Sequence, residues 1–253
     1  MLGTTLALLA GLLGVAASLT LVLWIRGMRN PMVAYRPAQH AAPRSAPQYR
    51  AAQPRILPRS AWLNATVRRK QPPPRYDDAA VAVFVHHTDS PNTYRCADTP
   101  EVIRRLYAGQ TNARKWDDIG YNFLVDRCGT IYEGRAGGVG RAVIGAHTQG
   151  FNHRTAGIAA IGTFTRGTTV PRAMTDAIAS LIAWKLGLAG VDPRSAAHLV
   201  SSNGLSRYPV GALVTLPAVS GHDAGYRTSC PGAALSARLP EIRKAAARLQ
   251  GRR

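Results

Sequence analysis

Val81-Ala82-Val83-Phe84-Val85-His86-His87-Thr88 runs five apolar residues without a break into two histidines. An apolar run that is continuous rather than alternating is the pattern of a strand covered on both faces, inside a sheet. Two histidines closing such a strand are either satisfied core residues or part of a site. The strand alone leaves both readings open.

Working outward, Pro72-Pro73-Pro74 forces an extended approach to this strand. Ile56-Leu57-Pro58-Arg59-Ser60-Ala61-Trp62 sets an aliphatic pair and a Trp around an Arg, and is expected to be an entry segment packed on the domain's surface. Thr99-Pro100-Glu101 predicts a helix start with Thr as N-cap, and Val102, Ile103, Leu106 and Tyr107 follow at helical spacing until Gly109. Tyr121 to Val125 and Thr130 to Glu133 read as strands joined through Asp126-Arg127-Cys128-Gly129, where the glycine supplies a hairpin turn. Gly157 to Phe164 is a further apolar strand, Arg172 to Leu188 a long helix, and Ala234 to Leu249 a helical region in which Pro240 starts a second segment. No internal repeat is present.

The chain of 253 residues carries 46% apolar and 18% charged residues, a globular composition. Its formal charge of +19, from 32 basic against 13 acidic side chains, points to an acidic partner or to a general solubility effect. Anionic lipid, an anionic wall and nucleic acid all fit such a field. No compact basic helix and no interleaving of aromatic and basic residues supports nucleic acid, so none is expected as a partner.

Leu2 to Ile25 contains no charge and is rich in Leu, Ala and Val. As a helix it would extend roughly 36 Å, enough to cross a bilayer. Residues 1–29 are therefore expected to be a membrane anchor. A cleaved signal peptide is the rival, with Val15-Ala16-Ala17 as its cleavage site. Arg26, Arg29 and Arg36 follow the segment and none precedes it, which by the positive-inside rule leaves the remainder in the cytoplasm. Residues 30–55, rich in Pro, Ala and Arg, read as a linker, and 56–253 as one folded domain.

Far downstream, Gly221-His222-Asp223-Ala224-Gly225-Tyr226-Arg227-Thr228-Ser229-Cys230-Pro231-Gly232 places a His and a Cys in one turn-rich loop. With a His from elsewhere they can converge on a zinc ion, and three protein ligands leave the fourth position open for a water, as in catalytic zinc sites. The spacing alone is a weak pointer. The three cysteines, Cys96, Cys128 and Cys230, form an odd set that one pair plus one functional thiolate would explain.

FVHHT at 84–88, WDDIGYNFLVD at 116–126, GTIYEGRAGG at 129–138, GAHTQGFN at 145–152 and Cys-Pro-Gly at 230–232 occur together in this order. In these motifs the chain resembles the peptidoglycan recognition proteins, the family that includes the zinc-dependent N-acetylmuramoyl-L-alanine amidases of the phage T7 lysozyme type. The resemblance covers roughly residue 56 to the C-terminus. It implies an α/β fold, a single domain with a central mixed β-sheet flanked by helices. It also implies hydrolysis of the amide between N-acetylmuramic acid and L-alanine in peptidoglycan. His86, His222 and Cys230 match the zinc ligands, His86 being preferred to His87 because the ligand directly follows the strand. Tyr121 matches the catalytic tyrosine, and Thr228 stands where relatives carry Thr or Lys beside the zinc. His87, Arg135, His147 and Asn152 fall in segments that line the family's substrate groove.

The resemblance also leaves Cys96 and Cys128 to pair as a disulfide, which persists outside the cytoplasm and so argues against the topology drawn from the arginines. It implies an extracytoplasmic protein, membrane-anchored or secreted and monomeric, whose partner is peptidoglycan, with anionic wall polymers a further possibility. Three departures stand out. Asp223 and Ala224 replace the usual Arg and Asp after the second ligand histidine, Tyr107 is followed by Ala108-Gly109 where relatives have Tyr-His, and Thr228 stands in place of Lys. The rival readings are a recognition module that binds muramyl peptides without cutting them, and a polybasic binder of wall polymers. Non-cutting relatives typically lack the cysteine ligand, which is present here.

Overall fold

A computed structural model describes residues 48–66 and 68–253. Six strands form the main sheet: β1 (Ile56–Leu57), β2 (Ala82–His87), β3 (Phe123–Val125), β4 (Ile131–Glu133), β5 (Thr155–Ala160) and β8 (Val219–Gly221). They lie in the order β1-β4-β3-β5-β2-β8. The β3–β4 hairpin is antiparallel and every other pairing is parallel. A separate antiparallel ribbon joins β6 (Ala196–Val200) to β7 (Leu213–Pro217). The helices are α1 (Thr99–Ala108), α2 (Arg172–Gly187), α3 (Ala233–Ser236) and α4 (Leu239–Leu249). This is the mixed sheet flanked by helices that the motifs implied.

β2 is buried along its whole length and parallel to both neighbours, as its unbroken apolar run requires. Alternation along β3 divides the core. Phe123 and Val125 join a cluster with Met174, Ile178, Leu181 and Ile182 of α2 and Leu239, Ile242 and Ala246 of α4. Leu124 faces the other way, with Ile103 and Tyr107 of α1, Trp62 and Ile119. Thus α2 and α4 cover one face of the sheet and α1 the other.

Three expectations shift. The segment around Trp62 is not superficial: Ile56–Leu57 pairs with β4, Trp62 is 1% exposed, and its indole N–H donates to the Glu133 carbonyl at 2.8 Å. An indole buries well once its N–H has a partner, which accounts for the change. Asp98 rather than Thr99 precedes α1, because the Thr99 hydroxyl donates to the buried Asp126 carboxylate at 3.2 Å. α1 also does not stop at Gly109 but continues into a π-helical turn, Gly109–Ala113.

The anchor expected over residues 1–29 lies outside the described residues, as does most of the linker. Among the described residues no helix is long and apolar enough to cross a membrane. Tyr49 and Ala51, within the expected linker, already lie against the domain. The Arg252 guanidinium sits 4.3 Å from the Tyr49 ring centre, and Ala51 packs on the core around α2 and α4.

Cys96 and Cys128 form a disulfide across a sequence separation of 32, tying the start of α1 to the β3–β4 turn. Closing a loop of this size stabilises a domain by about 2–4 kcal/mol, chiefly by restricting the unfolded chain. The Cys96→Ser/Cys128→Ser protein is therefore expected to unfold at lower urea with a loss of about that size. Reductant should move the native protein toward the same midpoint, and a midpoint indifferent to both would contradict the assignment.

Candidate metal centre

The site lies at the carboxyl ends of parallel strands, where open α/β sheets leave a crevice. β8 runs beside β2 with Val85 opposite Gly221, so His222, the next residue, emerges next to His86. Their ring centres are 4.4 Å apart. The loop after β8 then brings Cys230 back, with its Sγ 3.9 Å from His86 Nδ1. Ligand-type atoms of His86, His222 and Cys230 all lie within 4.8 Å of one another.

Both histidines prove to be strand residues, the last two of β2, rather than residues that follow it. Consecutive side chains on a strand point to opposite faces, so only one of them can face this cluster. His86 does. His87 turns away, its Nδ1 3.5 Å from the Phe164 amide, but its backbone N–H donates to Cys230 Sγ at 3.3 Å.

The Trp116–Asp126 motif holds Tyr121 in place almost entirely through other residues. Asp118 forms a two-point ion pair with Arg59, 3.1 Å at each oxygen, and accepts from the amides of Ile119 and Ala136 at 2.8 Å. Gln110, in the π-helical turn, accepts from the Gly120 amide at 2.9 Å. Asn122 donates to the Val143 carbonyl and accepts from the Gly157 amide. Gly120 is required because a Cβ there would sit 2.6 Å from the Ala146 carbonyl oxygen. Tyr121 is left to face the site, its ring centre 5.2 Å from that of His86, and its hydroxyl has no protein partner among the described residues.

The remaining expected residues take these positions. Thr228 accepts the Cys230 amide at 3.2 Å, shaping the turn that carries the cysteine. His147 is 6% exposed, with Nδ1 3.2 Å from His86 Nε2. Asn152 accepts from the His147 and Thr148 amides at 2.8 and 2.9 Å, fixing that loop. Arg135 is half-buried and donates to the Ile119 carbonyl at 3.2 Å, beside a cavity of about 140 Å³ that Arg75 and Asp117 also line. One of its five N–H donors is thereby used. Tyr226, which the sequence reading missed, stacks on His222 at 5.4 Å. The i, i+4 spacing of these residues, just short of the cysteine, was its only sequence trace.

The electrostatics are those of a neutral cluster. Burial depresses His86 far below the ordinary imidazole value, with the neighbouring His222, His147 and His87 acting in the same direction. Burial takes His147 down to about 3 and His222 to about 4. Burial likewise pushes the Cys230 thiol up to about 12, opposed by the His87 N–H, and raises the Tyr121 phenol above its ordinary value. Two neutral imidazoles and one cysteine form a donor set suited to zinc. Neither ring nitrogen of His222 has a protein hydrogen bond among the described residues, so its lone pair is free. The residues present fit the metal.

A family profile described as N-acetylmuramoyl-L-alanine amidase matches residues 76–233. Peptidoglycan-recognition protein LB of Drosophila melanogaster is 35% identical over 145 residues, 55% of this chain and 57% of that protein. An N-acetylmuramoyl-L-alanine amidase of Mus musculus is 38% identical over 117 residues, 44% of this chain and 20% of that protein. The matched region thus spans less than two thirds of either relative. Wild-type Drosophila PGRP-LB superimposes with a TM-score of 0.56 at 28% identity, covering 73% of this chain and 92% of that one. Human PGRP-IBETAC, solved in complex with glycosamyl muramyl pentapeptide, gives 0.55 at 27%, covering 73% and 93%.

The depressed histidines make stability depend on pH. Unfolding returns each imidazole to a value near 6.5, so the unfolded chain binds more protons whenever the pH lies between the folded and unfolded values. The metal-free protein is expected to keep full stability above about pH 6.5 and to lose it progressively toward the values of about 4 and about 3 held by His222 and His147. Urea midpoints of metal-free protein between pH 8 and pH 4 measure this. A flat profile from pH 7 to pH 4.5 would contradict a buried neutral cluster.

Proposed function

The chain belongs to the N-acetylmuramoyl-L-alanine amidase family, and on that premise we propose that it hydrolyses the amide between N-acetylmuramic acid and L-alanine in peptidoglycan, with one zinc ion held by His86, His222 and Cys230. The observation that carries this reading is the convergence of two neutral imidazoles and a cysteine at the end of β2. The cysteine also favours the hydrolase over a module that binds without cutting.

Bound zinc supplies Lewis acidity toward the amide carbonyl and acidifies a water to a pKa of roughly 7. The protein's own groups do the rest. Burial keeps the Tyr121 phenol protonated across the working range, so it remains a hydrogen-bond donor to the carbonyl oxygen as negative charge develops there. Thr228 holds the Cys230 turn through its oxygen lone pair, which leaves its O–H available as a donor. Of the residues expected to meet substrate, Arg135 has the most unused donors and is proposed to contact an acidic part of the muramyl peptide. The charge of +19 suits a polyanionic wall and speeds encounter with it. The proposed site of action is extracytoplasmic, in keeping with the disulfide.

Zinc-loaded full-length protein is expected to release peptides with free N-terminal L-alanine from purified peptidoglycan, and chelator should stop the release. Tyr121→Phe should keep zinc and substrate binding while lowering kcat on the order of 10²-fold. Cys230→Ser should lose both metal and activity. No release by the zinc-loaded protein, or release unchanged in Cys230→Ser, would overturn the hydrolase reading.

A second measurement follows from protonation. At pH 6 the imidazoles are already neutral, the thiol is protonated and a zinc-bound water with a pKa of roughly 7 keeps its proton, so zinc binding should displace about one proton, from Cys230. Titration calorimetry in buffers of different ionisation enthalpy reads that number. A value near zero would remove the thiolate from the donor set.

A further inference from the structure

We infer that His147 is a positioning residue that fixes the tautomer of His86, leaving the Nδ1 lone pair of His86 facing His222 and Cys230. The inference rests on the metal-site reading above and concerns how the protein prepares one ligand before metal arrives.

The backbone carbonyl of Phe151 is a group that can only accept. The Thr155 hydroxyl lies 2.5 Å from it and must donate. A hydroxyl has one hydrogen, so Thr155 Oγ1 then offers only lone pairs to its other neighbour, His147 Nε2, at 3.4 Å. His147 Nε2 therefore carries the ring's hydrogen. A neutral imidazole has only one, so His147 Nδ1 is an acceptor. Its partner at 3.2 Å, His86 Nε2, must be the donor. His86, also neutral, is left with a bare Nδ1, the atom 3.9 Å from Cys230 Sγ.

Thr148 does not disturb this order. Its hydroxyl lies 3.0 Å from His147 Nδ1 and 3.5 Å from His86 Nε2. It donates to the first, sharing that atom's single lone pair with the His86 Nε2–H in a three-centre arrangement, and its own lone pair accepts from the second. Burial keeps water from offering alternatives, since His147 is 6% exposed and Thr155 is 3% exposed.

The surroundings are shaped for an imidazole in this place. Gly157 lies within β5, and a Cβ there would collide with the ring carbons of His147; a Cβ at Gly145 would come to 2.5 Å of the same ring. Neither glycine has a positive φ, so each is needed for the space it leaves rather than for its backbone freedom. The Asn152 oxygen meanwhile grips the His147 and Thr148 amides. Three separate features thus hold one ring that does not itself belong to the ligand set.

The test uses the metal-free full-length protein labelled with ¹⁵N at histidine, at pH 7.5. Long-range ¹H–¹⁵N correlation reads the tautomer of each ring. His86 and His147 are both expected as Nε2–H, and finding either as Nδ1–H would overturn the inference. Thr155→Val keeps the side-chain shape and removes the hydroxyl, so both rings should become tautomer mixtures and zinc affinity should fall on the order of 10- to 100-fold. Thr155→Ser should restore both. Unchanged tautomers and unchanged zinc affinity in Thr155→Val would refute the positioning role. Because the tautomer readout needs neither metal nor substrate, a protein that shows the expected order yet cuts no peptidoglycan would lose the hydrolase reading and keep this one.

Discussion

The parallel pairing of β8 with β2 is the constraint on which the site depends. It sets Gly221 opposite Val85 and so delivers His222 to the side of His86, two residues that the sequence holds far apart. Everything else at the metal centre builds on that register. A slip of one residue would reverse the faces, exchanging His86 for His87 in the cluster. The register is protected because β2 is hydrogen-bonded on both edges and buried on both faces, which leaves no polar solution for any other alignment.

Around this pairing, small residues decide what can approach. Ala159 and Ala160 of β5 lie opposite His86 and His87, and Gly157 admits His147 to the same region. Gly232, at φ 91°, lets the chain turn after the cysteine where a Cβ would strike the Phe164 carbonyl. The Cys-Pro-Gly run is thus a steric requirement as much as a ligand. The same holds for the tyrosine motif, where Asp118, Gly120 and Asn122 are all committed to fixing the backbone and the hydroxyl of Tyr121 has no protein partner among the described residues.

These facts explain what could be read from the sequence. The unbroken run into His86 gave a central strand, and Asp126 to Gly129 gave the β3–β4 turn, because each rests on local chemistry. The β6–β7 ribbon went unread. It shows a clear alternation of exposed and buried residues in each strand, but a long loop separates the two and no short turn motif marks them as partners. His86 and His87 both lie in the strand, so alternation, and not a position just past the strand end, separates them. His147 was placed among the groove residues because its motif belongs to that segment. Its contact with His86 depends on the long-range approach of β5, for which the only local trace was a glycine inside an apolar strand.

The choice of an imidazole rather than a carboxylate behind His86 has an electrostatic consequence. A carboxylate in that buried position would add a negative charge beside a cysteine that must itself become a thiolate to bind metal, and like charges at low dielectric oppose each other strongly. It would also pull the neighbouring histidines toward protonation, against the neutral state that burial now enforces. A neutral ring held by the Thr155 hydroxyl, which is itself fixed on the Phe151 carbonyl, orients His86 without adding charge. The donor set then carries a single negative charge, from Cys230, and a divalent cation within it keeps a net positive charge to direct at a substrate carbonyl. The two glycines that make room for His147 are therefore tied to the chemistry of the centre as closely as the residues that would touch the metal.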